Sequence, residues 1–461
     1  MIKRLLSIFF LFSTLVMVGA GCSGGSSSAP VQQKVTLKFW SVFDDETAYR
    51  ELFSAYRAAH PNVTIEYRKF RPEEYEKELI RALADGTGPD IFSVHNTKMS
   101  EFQSLLSPMP PQLNISYLVT QGTLRKETAL VAKQEATMSQ KTFKSQFVDV
   151  VSSDAILNYT ADPKMAATPR IYGFPFSMDT LALFYNKDLL NSAGIAEPPA
   201  AWDQFNEAVK KLTKYDATGG VAQSGAALGT VKNVDRSGDI ISVLMMQNGA
   251  QMTDENGNPT FDGVPKGTPQ GVFPALDAVT FYTDFANPVK EVYTWNDGFP
   301  NSVSAFARGQ TAFMLGYSYD VPILTAAAPK LNYGIAPLPQ IAGGRIVNYP
   351  NYWLQGVSKT SKFGDYAWNF LDFASNPKNV TSFLAKSGHP TAVRSLIGAE
   401  LEDETLGVFA SQLLTSQSWY HGSDSDAAFK ALSDLSTTIL VGTDDPKKAV
   451  SQAARVVGQT Y

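Results

Sequence analysis

The side chains that most often carry out chemistry are few and widely spaced in this chain. The four histidines, His60, His95, His389 and His421, form neither an H-E-x-x-H motif nor another closely spaced pair, so a histidine zinc site is unsupported. A Walker phosphate-binding loop is also missing from the sequence, and we predict no cofactor and no metal. Carboxylate pairs leave no local signature, so a surface glycosidase with two carboxylates roughly 5 to 10 Å apart stays an alternative.

The single cysteine of the 461 residues is Cys22. One thiol excludes an internal disulfide and a cysteine-based metal cluster. Lys3 and Arg4 precede an almost wholly apolar run at residues 5–18, and small residues follow this run. This order is typical of a secretory signal, and the run is shorter than the roughly 20 residues of a membrane-spanning helix. We therefore predict that residues 1–21 are an export signal.

A cysteine directly after small residues resembles the processing site of bacterial lipoproteins, where the thiol receives a diacylglycerol and becomes the new N-terminus. Residues 22–34 would then be a flexible tether, because Ser23 to Pro30 offers almost nothing that could be buried. The alternative is an ordinary signal peptide that leaves Cys22 as a free surface thiol. Lipidation predicts an extracytoplasmic protein that is anchored to the cell membrane by two or more acyl chains.

The composition is that of a soluble globular protein with an ample core, since 44% of the residues are hydrophobic and 18% are charged. The formal net charge is −5, and no dense run of Lys and Arg compensates for it. We therefore predict no nucleic-acid partner. A second long apolar run does not occur in the sequence, so we predict that nothing after the signal spans a membrane.

Strands and helices alternate from Val35 onward, which predicts an α/β fold. "VTLKFWSVF" and "VTIEYRKF" are strand-like, a helical apolar pattern follows each of them, and "DIFSV" predicts a further buried strand. This order implies a parallel sheet covered on both faces. Ligands bind such sheets in the loops beyond the strands' carboxyl ends, here 43–46 and 95–98. Asp44 and Asn96 are therefore candidate ligand contacts, with turn formation as the alternative role.

Six motifs follow one another along the rest of the chain. They are "GTGPDIF" (86–92), "YGFPFSMDTLALFYNKDLLNSAGIAEPPAAWDQFNEAVKKLT" (172–213), "FARGQTAFMLGYS" (306–318), "YGIAPLP" (333–339), "GVSKTSKFGDYAWNFLDFAS" (356–375) and "SGHPTAVRS" (387–395). In order and spacing they resemble the extracellular solute-binding proteins of bacterial ABC transporters, in the carbohydrate-binding family that includes maltose-binding protein. Residues 107–169 look longer than the family usually shows, and their polar composition predicts one or two exposed helices.

The resemblance implies a two-lobed, periplasmic-binding-protein-like α/β fold with three hinge crossings and a central ligand cleft. The crossings fall at 179–181, 352–356 and 390–393. Lobe one is then 35–178 with 357–389, and lobe two is 182–351 with 394–461. The implied function is that of a monomer without enzymatic activity that captures a sugar or oligosaccharide and delivers it to the permease and ATPase subunits of an ABC importer. A binding protein for a polyamine or a metal ion is the alternative.

Sugar recognition needs carboxylates and amides for hydrogen bonds and aromatic rings for the nearly apolar sugar face. By the resemblance, Asp179 occupies the place of a ligand-binding acidic residue, and Tyr319 that of a sugar-stacking ring, with Tyr317 close by. Trp353 on the second crossing and Trp295 in the loop "YTWNDGF" are further candidates. The alternative roles are hinge hydrogen bonding for Asp179 and core packing for the rings.

Overall fold

The computed structural model describes residues 34–121 and 127–461. The predicted export signal, Cys22 and nearly all of the predicted tether lie outside the described residues. Within the described ranges, no helix is both long enough and apolar enough to cross a bilayer.

The first part of the chain alternates strands and helices. Pro72 begins one of the helices, at a position where its missing N–H costs no hydrogen bond. In chain order the elements are β1 (Val35–Val42), α1 (Glu46–Ala59), β2 (Val63–Phe70), α2 (Pro72–Ala84), β3 (Ile91–His95), α3 (Met99–Phe102), β4 (Leu106–Ser107), β5 (Gln112–Gln121), β6 (Glu127–Ala136), α4 (Gln140–Gln146), α5 (Asp149–Ala155), β7 (Ile156–Tyr159), β8 (Thr168–Ile171) and β9 (Phe174–Pro175).

The second part begins with short strands and ends in helices. In chain order its elements are β10 (Asp179–Thr180), β11 (Ala182–Asn186), α6 (Lys187–Ser192), α7 (Trp202–Leu212), β12 (Lys214–Tyr215), β13 (Val221–Ala226), α8 (Ser237–Gln247), α9 (Pro274–Asp284), α10 (Ser302–Ala307), β14 (Thr311–Gly316), α11 (Asp320–Ala327), β15 (Tyr333–Pro337), β16 (Pro350–Asn351), β17 (Trp353–Ser358), α12 (Gly364–Ser375), α13 (Pro377–Ser387), α14 (Arg394–Glu400), α15 (Leu406–Gln412), α16 (Ser425–Val441) and α17 (Pro446–Gly458).

Two sheets organise these elements. The first has the strand order β2-β1-β3-β17-β4, with β9 also paired to β17. Strand β1 runs parallel to β2 and β3, which confirms the predicted parallel strand-helix-strand arrangement. Strand β17 returns from late in the sequence and pairs antiparallel with β3. The second sheet has the order β12-β13-β14-β11-β15, with β11 antiparallel to both of its neighbours.

Each sheet has its own hydrophobic core, and we call the two halves lobe one and lobe two. The chain passes from the first core at Met178 to the second at Leu181, and it returns between Tyr349 and Tyr352. Strands β10 and β16 lie on these two passages and pair with each other, so the passages form one two-stranded ribbon. The predicted crossings at 179–181 and 352–356 fall at or beside this ribbon, and their action as hinges stays a prediction.

The last passage is more gradual. Val393 belongs to the first core, and so do Ile397 and Leu413, whereas Phe409 packs in the second. Helix α14 therefore packs on lobe one, whereas α15 contacts both lobes through Phe409 and Ala410. Both helices begin after the predicted crossing at 390–393. The division of the chain into rigid lobes at the predicted bounds stays a prediction.

The exposed-helix prediction for residues 107–169 is wrong for residues 112–121 and 127–136, which are the paired antiparallel strands of the hairpin β5-β6. Leu113 and Ile115 are buried and alternate with polar neighbours, which is the period-two signature of a strand that is covered on one face. The hairpin packs on α12, where the backbone N–H of Ser116 donates to the Tyr366 hydroxyl at 3.2 Å. Helices α4 and α5 then follow within the same region.

Candidate ligand-binding cleft

A cavity of about 270 Å³ lies between the two lobes, beyond the carboxyl ends of β1 and β3. Lobe one contributes the residues that follow these strands, and lobe two contributes Arg236 and Tyr319. A larger and more open depression of about 850 Å³ is lined by α7, α9 and nearby loops of lobe two alone. We take the smaller cavity as the candidate site, because both lobes line it and it lies beyond the strand ends where parallel sheets bind ligands.

Phe43 and Asp44 form the wall at the end of β1. Phe43 has a φ of 66°, in the left-handed region that side chains rarely adopt, and half of its surface is exposed. The Asp44 carboxylate is 3.1 Å from Nε2 of His389, which also lines the cavity. Burial by itself lowers the pKa of His389, but the hydrogen bond and charge of Asp44, together with the charge of Asp179, outweigh burial and leave that pKa raised. Asp44 and His389 therefore form a hydrogen-bonded pair, which becomes an ion pair when His389 is protonated.

A second wall is aromatic and lies at the end of β3 and the start of β17. Trp353 makes edge contacts with three rings, at centroid distances of 5.9 Å to Phe43, 6.1 Å to Tyr75 and 5.3 Å to His95. Nε2 of His95 is 3.0 Å from Oδ1 of Asn351. Burial, with a further contribution from the Arg236 charge, lowers the pKa of His95 to about 3. His95 is therefore a neutral hydrogen-bonding group at this wall.

Lobe two presents the guanidinium group of Arg236, which lies over the Tyr317 ring at 5.8 Å from its centroid. Arg236 precedes α8 with a φ of 57°, a left-handed conformation in a residue other than glycine. Its Nη2 and Nε donate to the same carboxylate oxygen of Asp239 at 2.6 and 2.7 Å. The Tyr317 hydroxyl donates to that oxygen at 2.8 Å, and the Tyr317 ring stacks on Tyr319 at 5.5 Å. The Arg236 charge is thus neutralised by Asp239, while its side chain stays 36% exposed.

Asp179 lies on the ribbon between the lobes and also lines the cavity. Its Oδ2 accepts hydrogen bonds from the backbone N–H and the hydroxyl of Ser318, at 2.7 and 2.6 Å. Its Oδ1 accepts from the backbone N–H of Thr180 at 2.8 Å. Burial raises the pKa of Asp179 to about 6, although these donors oppose the shift. The carboxylate therefore ties the ribbon to the loop that carries Tyr319.

Four of the predicted contacts line this cavity: Asp44, Asp179, Tyr319 and Trp353. Sequence reasoning missed Phe43, Arg236, His95 and His389. Phe43 and His95 lie in the loops 43–46 and 95–98, beyond the carboxyl ends of parallel strands. Ligands bind parallel sheets in such loops, so the sequence already indicated the position of both residues. Arg236 gave no signal, because its left-handed backbone and its position beside the cleft depend on how the loop folds.

The other three predicted contacts are fully enclosed instead. Asn96 donates its side-chain N–H to Asp154 at 3.1 Å. Tyr317 lies behind Tyr319 in the second core, where it holds Asp239. Trp295 stacks on Phe299 at 4.5 Å in the second core. The structure gives these three side chains packing and hydrogen-bonding roles away from the cavity.

Chemically, the cavity combines flat apolar rings with polar groups that are already paired inside the protein. Phe43, Trp353 and Tyr319 offer ring surface from both lobes. The Asp44 carboxylate is hydrogen-bonded to His389, and the Arg236 charge has the carboxylate of Asp239 within hydrogen-bonding distance. Such a surface suits a neutral ligand with both apolar faces and hydroxyl groups. In the described ranges, no group of three or more His, Cys, Asp or Glu side chains is arranged to hold a metal ion.

Comparison with known proteins matches the chain to one family, and the two relatives given below are binding proteins. The profile of a family described as bacterial extracellular solute-binding protein matches residues 51–404. The galactooligosaccharide-binding protein of Bacillus subtilis (strain 168) is 24% identical over 460 residues, covering 97% of this chain and 95% of the relative. The sn-glycerol-3-phosphate-binding periplasmic protein UgpB of Escherichia coli (strain K12) is 25% identical, covering 53% and 52%.

The fold is shared with solved structures of similar proteins. The cyclic alpha-maltosyl-1,6-maltose binding protein of Arthrobacter globiformis superposes with a TM-score of 0.69 at 18% identity, covering 93% of this chain and 99% of that one. At 18% identity the match shows the shared fold alone, which is the two-lobed architecture.

Proposed function

The chain belongs to the bacterial extracellular solute-binding proteins, and we propose that it captures a sugar or oligosaccharide in the cleft between its lobes and delivers it to an ABC importer. The observation that carries this proposal is the cavity itself. Aromatic rings from both lobes face a space whose charged side chains are paired within the protein. A sugar offers apolar C–H faces to such rings and hydroxyl groups to the polar atoms between them.

The pairing of charges favours a neutral sugar over the alternatives. A polyamine needs uncompensated carboxylates, whereas Asp44 is paired with His389, and Asp179 is occupied by Ser318 and Thr180. A phosphorylated ligand needs a free cation, whereas Arg236 is held by Asp239. Both alternatives would require the cavity to give up an existing pair for each charge that it binds.

Closure of the lobes would couple binding to transport. Phe43 and Trp353 belong to lobe one and Tyr319 to lobe two, so a ligand contacts both sets of rings together only when the lobes are close. The difference in contacts between open and closed forms is the free energy that drives closure. The importer would then recognise the closed monomer. ATP hydrolysis would take place on the partner ATPase subunits, because the sequence has no Walker loop.

The proposal also includes location and the absence of catalysis. A lipid on Cys22 would hold the protein at the outer side of the membrane, with the tether giving the lobes freedom to meet the permease. The proposed role is binding without chemical change of the sugar.

The test is calorimetry of the full chain against a mixed panel. The panel contains galactooligosaccharides, maltodextrins, sn-glycerol 3-phosphate, putrescine and ferric citrate, with chromatography of the sugars after incubation. We expect micromolar or tighter binding of at least one neutral sugar, which is recovered intact. Binding of putrescine, iron or the phosphate ester alone would refute the sugar assignment, and cleavage of the sugar would indicate a glycosidase.

A further inference from the structure

A buried carboxylate outside the cleft cavity connects the two lobes. Asp154 in α5 has no exposed surface. Among the described residues, four side chains donate to it. They are Asn96 through Nδ2 at 3.1 Å, Tyr352 through its hydroxyl at 2.6 Å, Ser418 through its hydroxyl, and His421, whose Nε2 is 2.9 Å from Oδ1. A buried carboxylate needs such a set of donors, because desolvation strongly disfavours its charge.

The donors come from different halves of the molecule. The neighbours of Asp154 in α5, Val151 and Ala155, pack in the first core, whereas Trp419 and Tyr420 pack in the second. Ser418 and His421 flank these two aromatic residues in sequence. Their hydrogen bonds to Asp154 therefore cross from lobe two to lobe one.

A salt bridge crosses between the lobes in the same way. Nζ of Lys98 lies 2.8 Å from a carboxylate oxygen of Glu76 and 3.0 Å from one of Asp426. Lys98 follows Asn96 on the turn after β3, and Asp426 is in the first turn of α16, a helix of the second core. Separation of the lobes would break this contact together with those of Ser418 and His421.

His421 is the titratable member of the cluster. Burial alone lowers its pKa, but the hydrogen bond and charge of Asp154, together with a hydrogen bond to the Trp419 backbone, outweigh burial and leave that pKa raised. Among the described residues, titratable groups near the pair include His95, Tyr349, Tyr352 and Tyr461. Burial lowers the pKa of His95 to about 3 and raises the pKa of each of the three tyrosines, so these four stay neutral between pH 5 and 8.

We propose that Asp154 and His421 form a proton-linked latch of the closed conformation, so that closure around a ligand takes up a proton at His421. This inference rests on the proposed function, because it concerns closure of the same cleft. In the open form His421 faces water and titrates near its ordinary value, whereas in the closed form Asp154 favours the imidazolium.

The sign of the pH dependence follows from this difference. Below the ordinary histidine pKa, His421 is protonated in both forms and the latch contributes fully to closure. As pH rises through the raised closed-state pKa, the proton and its contribution are lost, so ligand affinity falls. Uptake of one proton limits the fall to about tenfold per pH unit.

The experiment is calorimetry of the full chain with the sugar that binds most tightly in the panel, at pH 6, 7 and 8 and in two buffers of different ionisation enthalpy. We expect affinity to be about threefold or more weaker at pH 8 than at pH 6, with net proton uptake on binding. His421→Gln should reduce the pH dependence and the proton uptake. Ser418→Ala is the matched control, because it removes a hydrogen bond across the lobes and leaves the titrating pair. It should weaken binding at every pH with an unchanged slope.

Burial raises the pKa of Asp179 to about 6, and Asp44 and Asp179 together raise the pKa of His389 despite its burial. Both groups line the cavity and can add to the pH slope, so the comparison between variants decides the test. An equal pH slope and equal proton uptake in wild type and His421→Gln would overturn the latch. If no sugar binds, the proposed function fails separately, and small-angle scattering of the ligand-free chain decides. A smaller radius of gyration at pH 5.5 than at pH 8, in wild type but not in His421→Gln, would support the latch, and equal radii would overturn it.

Discussion

Replacement of Phe43 by Asn should weaken ligand binding while leaving the stability of the ligand-free chain almost unchanged. Phe43 has a left-handed backbone with a φ of 66°, which costs about 1–2 kcal/mol in a residue with an ordinary side chain. Asn tolerates this conformation, so the variant recovers much of that cost. It loses the edge contact with Trp353 at 5.9 Å, which is worth about 0.5–1.5 kcal/mol. The two terms oppose each other, and we expect the midpoint of thermal unfolding to stay within about 2 °C of wild type.

The same substitution should weaken ligand binding. A phenylalanine side chain has about 150–250 Å² of surface. Half of the surface of Phe43 is exposed. A sugar that covers half of the exposed part removes roughly 50 Å² from water, which is worth about 1.2 kcal/mol at about 25 cal/mol per Å². This corresponds to about an eightfold loss in affinity. Calorimetry with the panel sugar gives the affinity, and calorimetric melting of the ligand-free chain gives the stability.

Phe43→Tyr is the matched control, because it keeps both the ring and the left-handed backbone, and its affinity should stay within about twofold of wild type. Unchanged affinity in Phe43→Asn would show that the ring does not reach the ligand. A fall of 5 °C or more in the melting midpoint would show that Phe43 serves packing instead, and either result would refute the reasoning.

Asp179→Ala should lower ligand-free stability by about 2 kcal/mol or more, because buried N–H groups of Ser318 and Thr180 lose their acceptor; melting like wild type would contradict this. Since burial raises the pKa of Asp179 to about 6, wild type should gain stability relative to Asp179→Asn as pH falls from about 6 toward 4, and parallel melting midpoints over this range would disprove it. Tyr319→Ala should reduce sugar affinity by about tenfold, whereas Tyr319→Trp should retain it in calorimetry, because stacking requires a flat ring. Cys22→Ser should yield soluble or unprocessed chain in cell fractionation, and unchanged membrane retention and mass would argue against the lipid anchor.

Some of the candidate site could be predicted from local order in the sequence. The ends of β1 and β3 are visible as apolar runs followed by turn residues, and the rule for parallel sheets then selects the loops that contain Asp44 and His95. The pairing of Asp44 with His389 could not be predicted in this way. These residues are 345 positions apart and meet only through the fold.

The places where the structure differs from the sequence expectation have a common physical origin. Trp295 and Tyr317 are aromatic residues near polar loops. Whether such a side chain points into a core or toward a ligand depends on the backbone conformation, which composition does not encode. The hairpin β5-β6 was missed because its polar residues obscured the alternation of Leu113 and Ile115, which became decisive only against α12. Local polarity was therefore a poor guide wherever a distant element supplied the covering surface.

The sequence by itself determined the alternation of strands and helices, the loops at the ends of β1 and β3, and the order of motifs that marks the family. These features depend on neighbours in the chain, whose side-chain periodicity and turn preferences act locally. The tertiary structure decided which side chains face the cleft, which charges are neutralised there, and that Asp154 receives donors from both lobes. These properties depend on burial and on contacts between residues far apart in sequence, and such contacts exist only once the two cores have formed.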